Sequence, residues 1–388
     1  MSVTVTTPGR FPPAFRWARY LQTQGNLERI ISPVPQRRTK QYGVDPERTV
    51  SRPLLGAWDH GFQRVGPRIL QPAHQLAFSA AFDHMAARSL GACTVVNAWC
   101  STALRTIRTA HGRGIPVVLE SASAHAETQA ELIREEMRRW GRDLDRAALS
   151  DAVIARAVRE YAEADVIVVN SQFALRTFIA RGVPAEKVVA VPYAVDETQP
   201  VERRQHDGRP RILYVGGCSL RKGVPYLLEA WTSLRTRAEL RLVGAPNQRL
   251  LRRLGAGPGV VVTGHKTGAA LAEEYASADI FVLPSVEDGY GLVTIEAMQA
   301  GLPVIVSGHA GSSELVRDGV DGFVVPARDS AALRDRIQQL IDEPRLRRSM
   351  GASARERATA RTWDDYGRER MDLVFGRLLG LSDFAEVA

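Results

Sequence analysis

Between Phe281 and Val306 the chain reads FVLPSVEDGYGLVTIEAMQAGLPVIV, a stretch that holds three carboxylates. Glu287 and Asp288 stand in a glycine-rich loop after an apolar run closed by Pro284, and Glu296 lies in the apolar-periodic segment that ends at Gly301. A second apolar run, Pro303 to Val306, comes next. The order is strand, loop, helix, strand. Gly289 and Gly291 let the backbone come close to a ligand, and the helix N-terminus beyond them attracts anions. Amides for phosphate, with carboxylates nearby for hydroxyls, suit a sugar nucleotide.

A second loop carries the opposite charge. Tyr214 to Gly223 reads YVGGCSLRKG and is followed by VPYLLEAW, so Gly216-Gly217 and then Arg221-Lys222-Gly223 fall between a strand and a helix. A cationic pair there can neutralise a diphosphate whose charge grows as a sugar leaves. Val215-Gly216-Gly217 lacks the GxGxxG spacing of a nicotinamide site. His125 ends Glu120-Ser121-Ala122-Ser123-Ala124-His125, just past an expected strand, where open parallel sheets bind ligands. His265 follows another strand end, and Gly9-Arg10 follows the first strand.

The elements that must carry these loops alternate. Strands are expected at Val3 to Thr7, Cys93 to Ala98, Ile115 to Glu120, Asp165 to Asn170 and Lys187 to Val191. Helices are expected at Pro12 to Gly25, Ala73 to Leu90, Ala103 to His111, and as one long helix from Glu127 to Tyr161. Ser171 caps a further helix that runs through Ala180. Residues 32–68, rich in Pro, Gly and Arg, show no assignable pattern. Residues 197–210 are polar and read as a linker. Strands follow at Arg211 to Val215, Leu240 to Val243, Val260 to Thr263, Ile280 to Leu283, Val304 to Val306 and Gly322 to Val325. Alternation of this kind predicts parallel α/β sheets. The expected division is 1–200, 201–362 and a tail at 363–388.

Residues 160–330 resemble the retaining glycosyltransferases of the large family 4. Their signature is a Glu, seven residues, a second Glu, Ala-Met and Gly-x-Pro-Val. Glu296-Ala297-Met298 and Gly301-Leu302-Pro303-Val304 match it. Asp288 occupies the first acidic position, with Glu287 as the alternative if the loop slips by one residue. The resemblance implies a GT-B fold, two Rossmann-like parallel-sheet domains facing a cleft, with a C-terminal helix crossing back onto the N-terminal domain. It also implies that Glu296 binds the nucleotide ribose, and that Asp288 contacts the donor sugar. Gly291 and Leu292 would offer amides to the diphosphate or sugar, and Lys222 would bind the diphosphate. An Arg that the family places five residues before that Lys is Gly217 here, with Arg221 as its substitute. His125 would face the donor sugar, Gly9 would touch phosphate and acceptor, and His265 would lie near the base. Glu314, in Gly311-Ser312-Ser313-Glu314, is expected to cap or orient the helix after it.

Composition narrows the class. At 388 residues, 45% hydrophobic and 24% charged, the chain fits two or three globular domains. No apolar run is long enough for a membrane helix, and the first residues lack a basic-then-apolar leader, so a cytoplasmic site is expected. Cys93, Cys100 and Cys218 show no CxxC spacing, which argues against a disulfide framework or a zinc centre. No aspartate-rich metal motif is present, and neither metal nor cofactor is expected beyond a nucleotide-diphosphate sugar as donor substrate. Residues 1–68 hold eleven basic and four acidic side chains. Such a patch fits an anionic surface, whether an acidic glycan, a lipid-linked acceptor or the inner face of a membrane met through residues 10–68. No nucleic-acid motif accompanies it. The expected function is retaining transfer of a sugar to a glycan, lipid-linked or small-molecule acceptor. A sugar-nucleotide epimerase and a non-catalytic sugar-nucleotide-binding protein stand as alternatives.

Overall fold

The computed structural model describes residues 1–67, 70–141, 144, 149–195, 208–235 and 237–378. Arg68, most of the expected linker and the last ten residues of the tail lie outside the described residues. The N-terminal sheet holds β1 (Val3–Thr6), β2 (Leu27–Ser32), β3 (Thr49–Ser51), β4 (Val95–Trp99), β5 (Val117–Glu120), β6 (Val166–Val169) and β7 (Val188–Ala190). Their order is β3-β2-β1-β4-β5-β6-β7. The second sheet holds β8 (Arg211–Val215), β9 (Glu239–Val243), β10 (Val260–Gly264), β11 (Ile280–Leu283), β12 (Val304–Ser307) and β13 (Gly322–Val325), ordered β10-β9-β8-β11-β12-β13. The pairings are parallel throughout. The chain is thus the expected α/β fold of two Rossmann-like halves. In both sheets the order reverses beside the first strand, between β1 and β4 and between β8 and β11. Loops diverge at such a point and leave a crevice beyond the strand ends.

Helices cover both sheets. The first half has α1 (Pro12–Thr23), α2 (Gln36–Thr39), α3 (Pro53–Val65), α4 (Gln71–Arg88), α5 (Leu104–His111), α6 (Ala126–Trp140), α7 (Asp151–Glu163) and α8 (Gln172–Ala180). The second has α9 (Val224–Trp231), α10 (Gln248–Arg253), α11 (Ala269–Ala276), α12 (Leu292–Gln299), α13 (Ser330–Asp342) and α14 (Pro344–Thr359), and α15 (Trp363–Arg370) follows. Buried on both faces, β6 (VIVV), β11 (IFVL) and β12 (VIVS) bury every residue.

The structure departs from the sequence reading in the first domain, where β2 is a strand that the reading did not assign. The single helix expected over 127–161 is two helices. Gly141 ends α6 at φ 124°, outside helical space, and Ser150 starts α7 by accepting the Val153 amide. The stretch 32–68, left without assignment, contains α2, β3 and α3 within its described residues. β3 is only three residues long, and α3 has no buried residue, so neither carries a strong periodic signal.

The tail is held on the first domain by charge as well as by packing. Arg370, 1% exposed, pairs with buried Glu120, donates to Asn97 Oδ1, and lies 4.3 Å over the Trp17 ring. Removing one member of a buried pair of this kind strands the other charge. Glu120 is the last residue of β5 and Asn97 lies midway along β4, so α15 is tied to the sheet beside the point from which the Ser121–His125 loop leaves.

Candidate functional site

The cationic loop and the carboxylate loop meet at the ends of β8 and β11. Gly223 makes the meeting possible. Its φ is 68°, and a Cβ there would sit 1.8 Å from the Pro284 carbonyl oxygen, so only glycine fits. The Arg221 carbonyl accepts the amides of Val286 (2.9 Å) and Glu287 (3.2 Å), locking the two loops together. Lys222 then forms an ion pair with Asp288, which is 8% exposed. Burial pushes the Asp288 carboxyl up, but the charges of Lys222 and Arg221 outweigh it and hold the group below its usual range. A Cβ on Gly291 would be 3.4 Å from Asp288 Oδ2, and Gly291 is the left-handed N-cap of α12. One ammonium, one carboxylate and the positive end of a helix therefore share a corner.

Glu296 lies one turn further along α12. Its carboxylate accepts from the Tyr275 hydroxyl at 2.8 Å. It lines a pocket of about 350 Å³ between the domains, together with Leu292, Gly268, Leu271, Tyr42 and Pro12. Tyr42 and the apolar walls offer a face for a flat ring, and Glu296 offers a carboxylate for hydroxyls. Pro12 and Tyr42 come from the first domain, and no local sequence signal marked them.

Glu287 and Asp288 are adjacent in sequence but face different partners. Glu287, 0% exposed, accepts from the Ala124 amide (2.9 Å), Gln129 Nε2 (2.7 Å) and Arg221 Nη1 (2.9 Å). The first two belong to the N-terminal domain, so Glu287 bridges the cleft while Asp288 stays with Lys222. Gly289 fits against the same loop, where a Cβ would meet the Ala122 carbonyl oxygen at 2.1 Å. Its own carbonyl accepts from Ser171 Oγ at 2.8 Å, and Tyr290 donates to the Tyr193 carbonyl at 2.9 Å.

Glu314 corrects an expectation. Its carboxylate accepts the amides of Gln172 (2.8 Å) and Phe173 (2.6 Å), the first residues of α8. It therefore caps a helix of the opposite domain, not one that follows it in sequence. Partners some 100 to 160 residues apart leave no local pattern, and sequence reasoning missed the cross-domain contacts of Gln129, Ser171 and Tyr290 for the same reason.

The remaining candidates are scattered. His125, 3% exposed, packs between Tyr161 and Phe178 at 4.8 and 5.1 Å. Its Nδ1 accepts the Glu127 amide at 3.3 Å and caps α6. Burial, with Arg181 adding to it, lowers its pKa to about 4, so the imidazole is neutral. It is not among the residues lining the Glu296 pocket. Gly217 accepts the Tyr214 hydroxyl at its carbonyl, 2.8 Å away, and has open space where a Cβ would point. Gly9 likewise has open space at its Cβ position. His265 is exposed just past β10 and also stays outside the pocket. Among the described residues no group of three or more His, Cys, Asp or Glu is arranged to hold a metal.

Comparison with known proteins bears on the family and the fold. Residues 209–343 match the family described as glycosyl transferases group 1. The D-inositol 3-phosphate glycosyltransferase of Geodermatophilus obscurus is 31% identical over 230 residues, 52% of this chain and 50% of that one. The alpha-D-kanosaminyltransferase of Streptomyces kanamyceticus is 26% identical over 265 residues, 62% of this chain and 65% of that one. An uncharacterised glycosyltransferase of Methanocaldococcus jannaschii is 30% identical over 175 residues, 43% of this chain and 45% of its own. The chain thus spans about half to two-thirds of the length of these relatives. Among solved structures, Anabaena HepE in complex with UDP and glucose superposes with a TM-score of 0.69 at 17% identity, covering 97% of this chain and all of that one. Sucrose-phosphate synthase from Thermosynechococcus elongatus gives 0.70 at 18% identity, covering 98% of this chain and 100% of its own. At such identities the likeness speaks for the fold.

Proposed function

We propose, from the match of residues 209–343 to group 1 glycosyl transferases and the two-domain Rossmann-like fold, that the chain transfers a sugar from a nucleotide-diphosphate sugar with retention at the anomeric carbon. The observation that carries the reading is the arrangement at the start of α12. Glu296 faces an interdomain pocket with aromatic and apolar walls, and Asp288, paired with Lys222, stands beside Gly291, the N-cap of the helix that carries Glu296.

In this mechanism Glu296 accepts hydrogen bonds from the ribose hydroxyls, and the base lies along Tyr42 and Leu271. The diphosphate takes the amides of Gly291 and Leu292 and draws Lys222 away from Asp288. As the glycosidic C–O bond lengthens, negative charge grows on the diphosphate and meets an ammonium and a helix dipole already in place. Asp288, released from Lys222, accepts from the donor sugar's hydroxyls. The acceptor hydroxyl attacks from the leaving-group face and gives its proton to the departing phosphate. Lys222 and the helix terminus supply the positive charge that a metal supplies elsewhere, so we assign no metal and no further cofactor to the reaction. The acceptor is a glycan or lipid-linked hydroxyl compound bound on the N-terminal side.

Relatives of this chain that are named as glycosyltransferases support the reading. The test is nucleoside-diphosphate release in the presence of candidate acceptors, with the product anomer read by NMR. Lys222→Ala should lower kcat by roughly 10²–10³. An inverted product, or undiminished turnover in Lys222→Ala, refutes the mechanism.

A further inference from the structure

We propose that the outward face of α3 docks on an anionic lipid bilayer. The inference rests on packing and is independent of the donor chemistry. α3 buries no residue outright. Its inner side touches the domain through Leu55, packed on the Ile31–Phe82 cluster, and through Phe62, stacked on His74 at 3.8 Å. Gly56 lets the helix approach the Pro33 carbonyl, which a Cβ would meet at 2.8 Å.

The other side carries exposed apolar residues. Leu54 is 86% exposed and Val65 82%, and Trp58, whose ring meets His74 at 4.6 Å, lies between the two sides at 43%. With Ala57 and Gly61, also exposed, they follow the helical repeat and form one stripe. Leu70, just before α4, is 50% exposed and Leu76 36%. A soluble helix normally turns its apolar stripe inward, so an outward one marks a surface for association.

Charge selects the partner. Arg52 and Arg64 are exposed on α3 or at its start, and Arg37, Arg38 and Lys40 are exposed on and just after α2, which packs beside β3. Residues 36–65 hold six cations against three carboxylates, Asp45, Glu47 and Asp59. Asp59 is engaged by His74 at 3.0 Å. A two-fold dimer through this face would set the cationic rim against itself. A bilayer with anionic headgroups meets both the stripe and the rim, and a half-exposed tryptophan beside leucine suits the headgroup boundary.

The experiment is flotation of the full chain with phosphatidylglycerol–phosphatidylcholine vesicles and with pure phosphatidylcholine vesicles, alongside light scattering of the protein alone. Wild type should float with the anionic vesicles and much less with the neutral ones. Leu54→Ser/Val65→Ser replaces side chains that are almost wholly in solvent, so its circular dichroism and melting midpoint should match wild type. Its vesicle binding should fall at least about tenfold. Arg52→Gln/Arg64→Gln should lose the preference for anionic lipid. The proposal is overturned if wild type does not float with anionic vesicles, or if Leu54→Ser/Val65→Ser floats as well as wild type. It is also overturned if wild type is a dimer that this variant converts to monomer without a change in flotation.

Discussion

Replacing Glu287 with alanine should open the cleft. The side chain is wholly buried and accepts three hydrogen bonds, from the Ala124 amide, Gln129 and Arg221. Truncation takes from the partly exposed Arg221 guanidinium the carboxylate it faces at 2.9 Å, and orphans a buried amide and a side-chain NH₂. Breaking a buried pair by removing one partner costs about 3–5 kcal/mol, and the partial exposure of Arg221 puts this pair at the lower end. The Ala124 amide reports directly on that loss, because its acceptor in the native state is Glu287 Oε1. At about 1.4 kcal/mol per tenfold, its hydrogen exchange should accelerate by at least roughly a hundredfold. Glu287→Gln keeps the shape and one acceptor but loses the charge facing Arg221, so its effect should be smaller, about 1.5–3 kcal/mol. Small-angle scattering should show a larger radius of gyration for Glu287→Ala than for wild type. Asp288→Asn should leave Ala124 exchange at the wild-type rate and remove turnover instead. The reasoning is refuted if Glu287→Ala exchanges Ala124 at the wild-type rate and keeps its compactness while losing turnover, since Glu287 would then be serving the donor and not the domain contact.

Other outcomes follow from the same geometry. Burial lowers the His125 pKa from 6.5 to about 4. The unfolded chain therefore binds the extra proton first, and stability falls as pH drops from 6.5 toward 4, by up to about 3 kcal/mol. His125→Asn, which keeps a capping acceptor, should flatten that part of a pH-dependent denaturation profile. Gly223→Ala forces a Cβ onto the Pro284 carbonyl at positive φ. It should cost about 3 kcal/mol in chemical denaturation and weaken donor binding. Turnover should be unchanged after dialysis against EDTA, and restoration of activity only by an added divalent ion would contradict the role given to Lys222.

Motifs held within one loop were legible in the sequence. The run from Phe281 to Val306 and the Arg221-Lys222-Gly223 turn each gather their distinctive residue types within one loop, and the strands beneath them are short apolar runs buried on both faces. The part that escaped is physical in origin. α3 turns its apolar stripe outward, so the inward-facing helical pattern is missing there. The break at Gly141 lies inside a stretch whose composition favours helix on both sides. Glu287 and Glu314 find their partners across the cleft, where a single sequence offers no pairing rule. The neighbouring carboxylates Glu287 and Asp288 could be told apart only by the groups they face.

The most direct test of the donor site is calorimetric titration of wild type and Glu296→Ala with a panel of nucleotide-diphosphate sugars. One nucleotide sugar should bind the wild type, and loss of hydrogen bonds to a charged carboxylate, about 1.5–3 kcal/mol, should weaken it roughly ten- to hundredfold in the variant. Equal affinity in both proteins, or no binding of any nucleotide sugar to the wild type, would contradict the account.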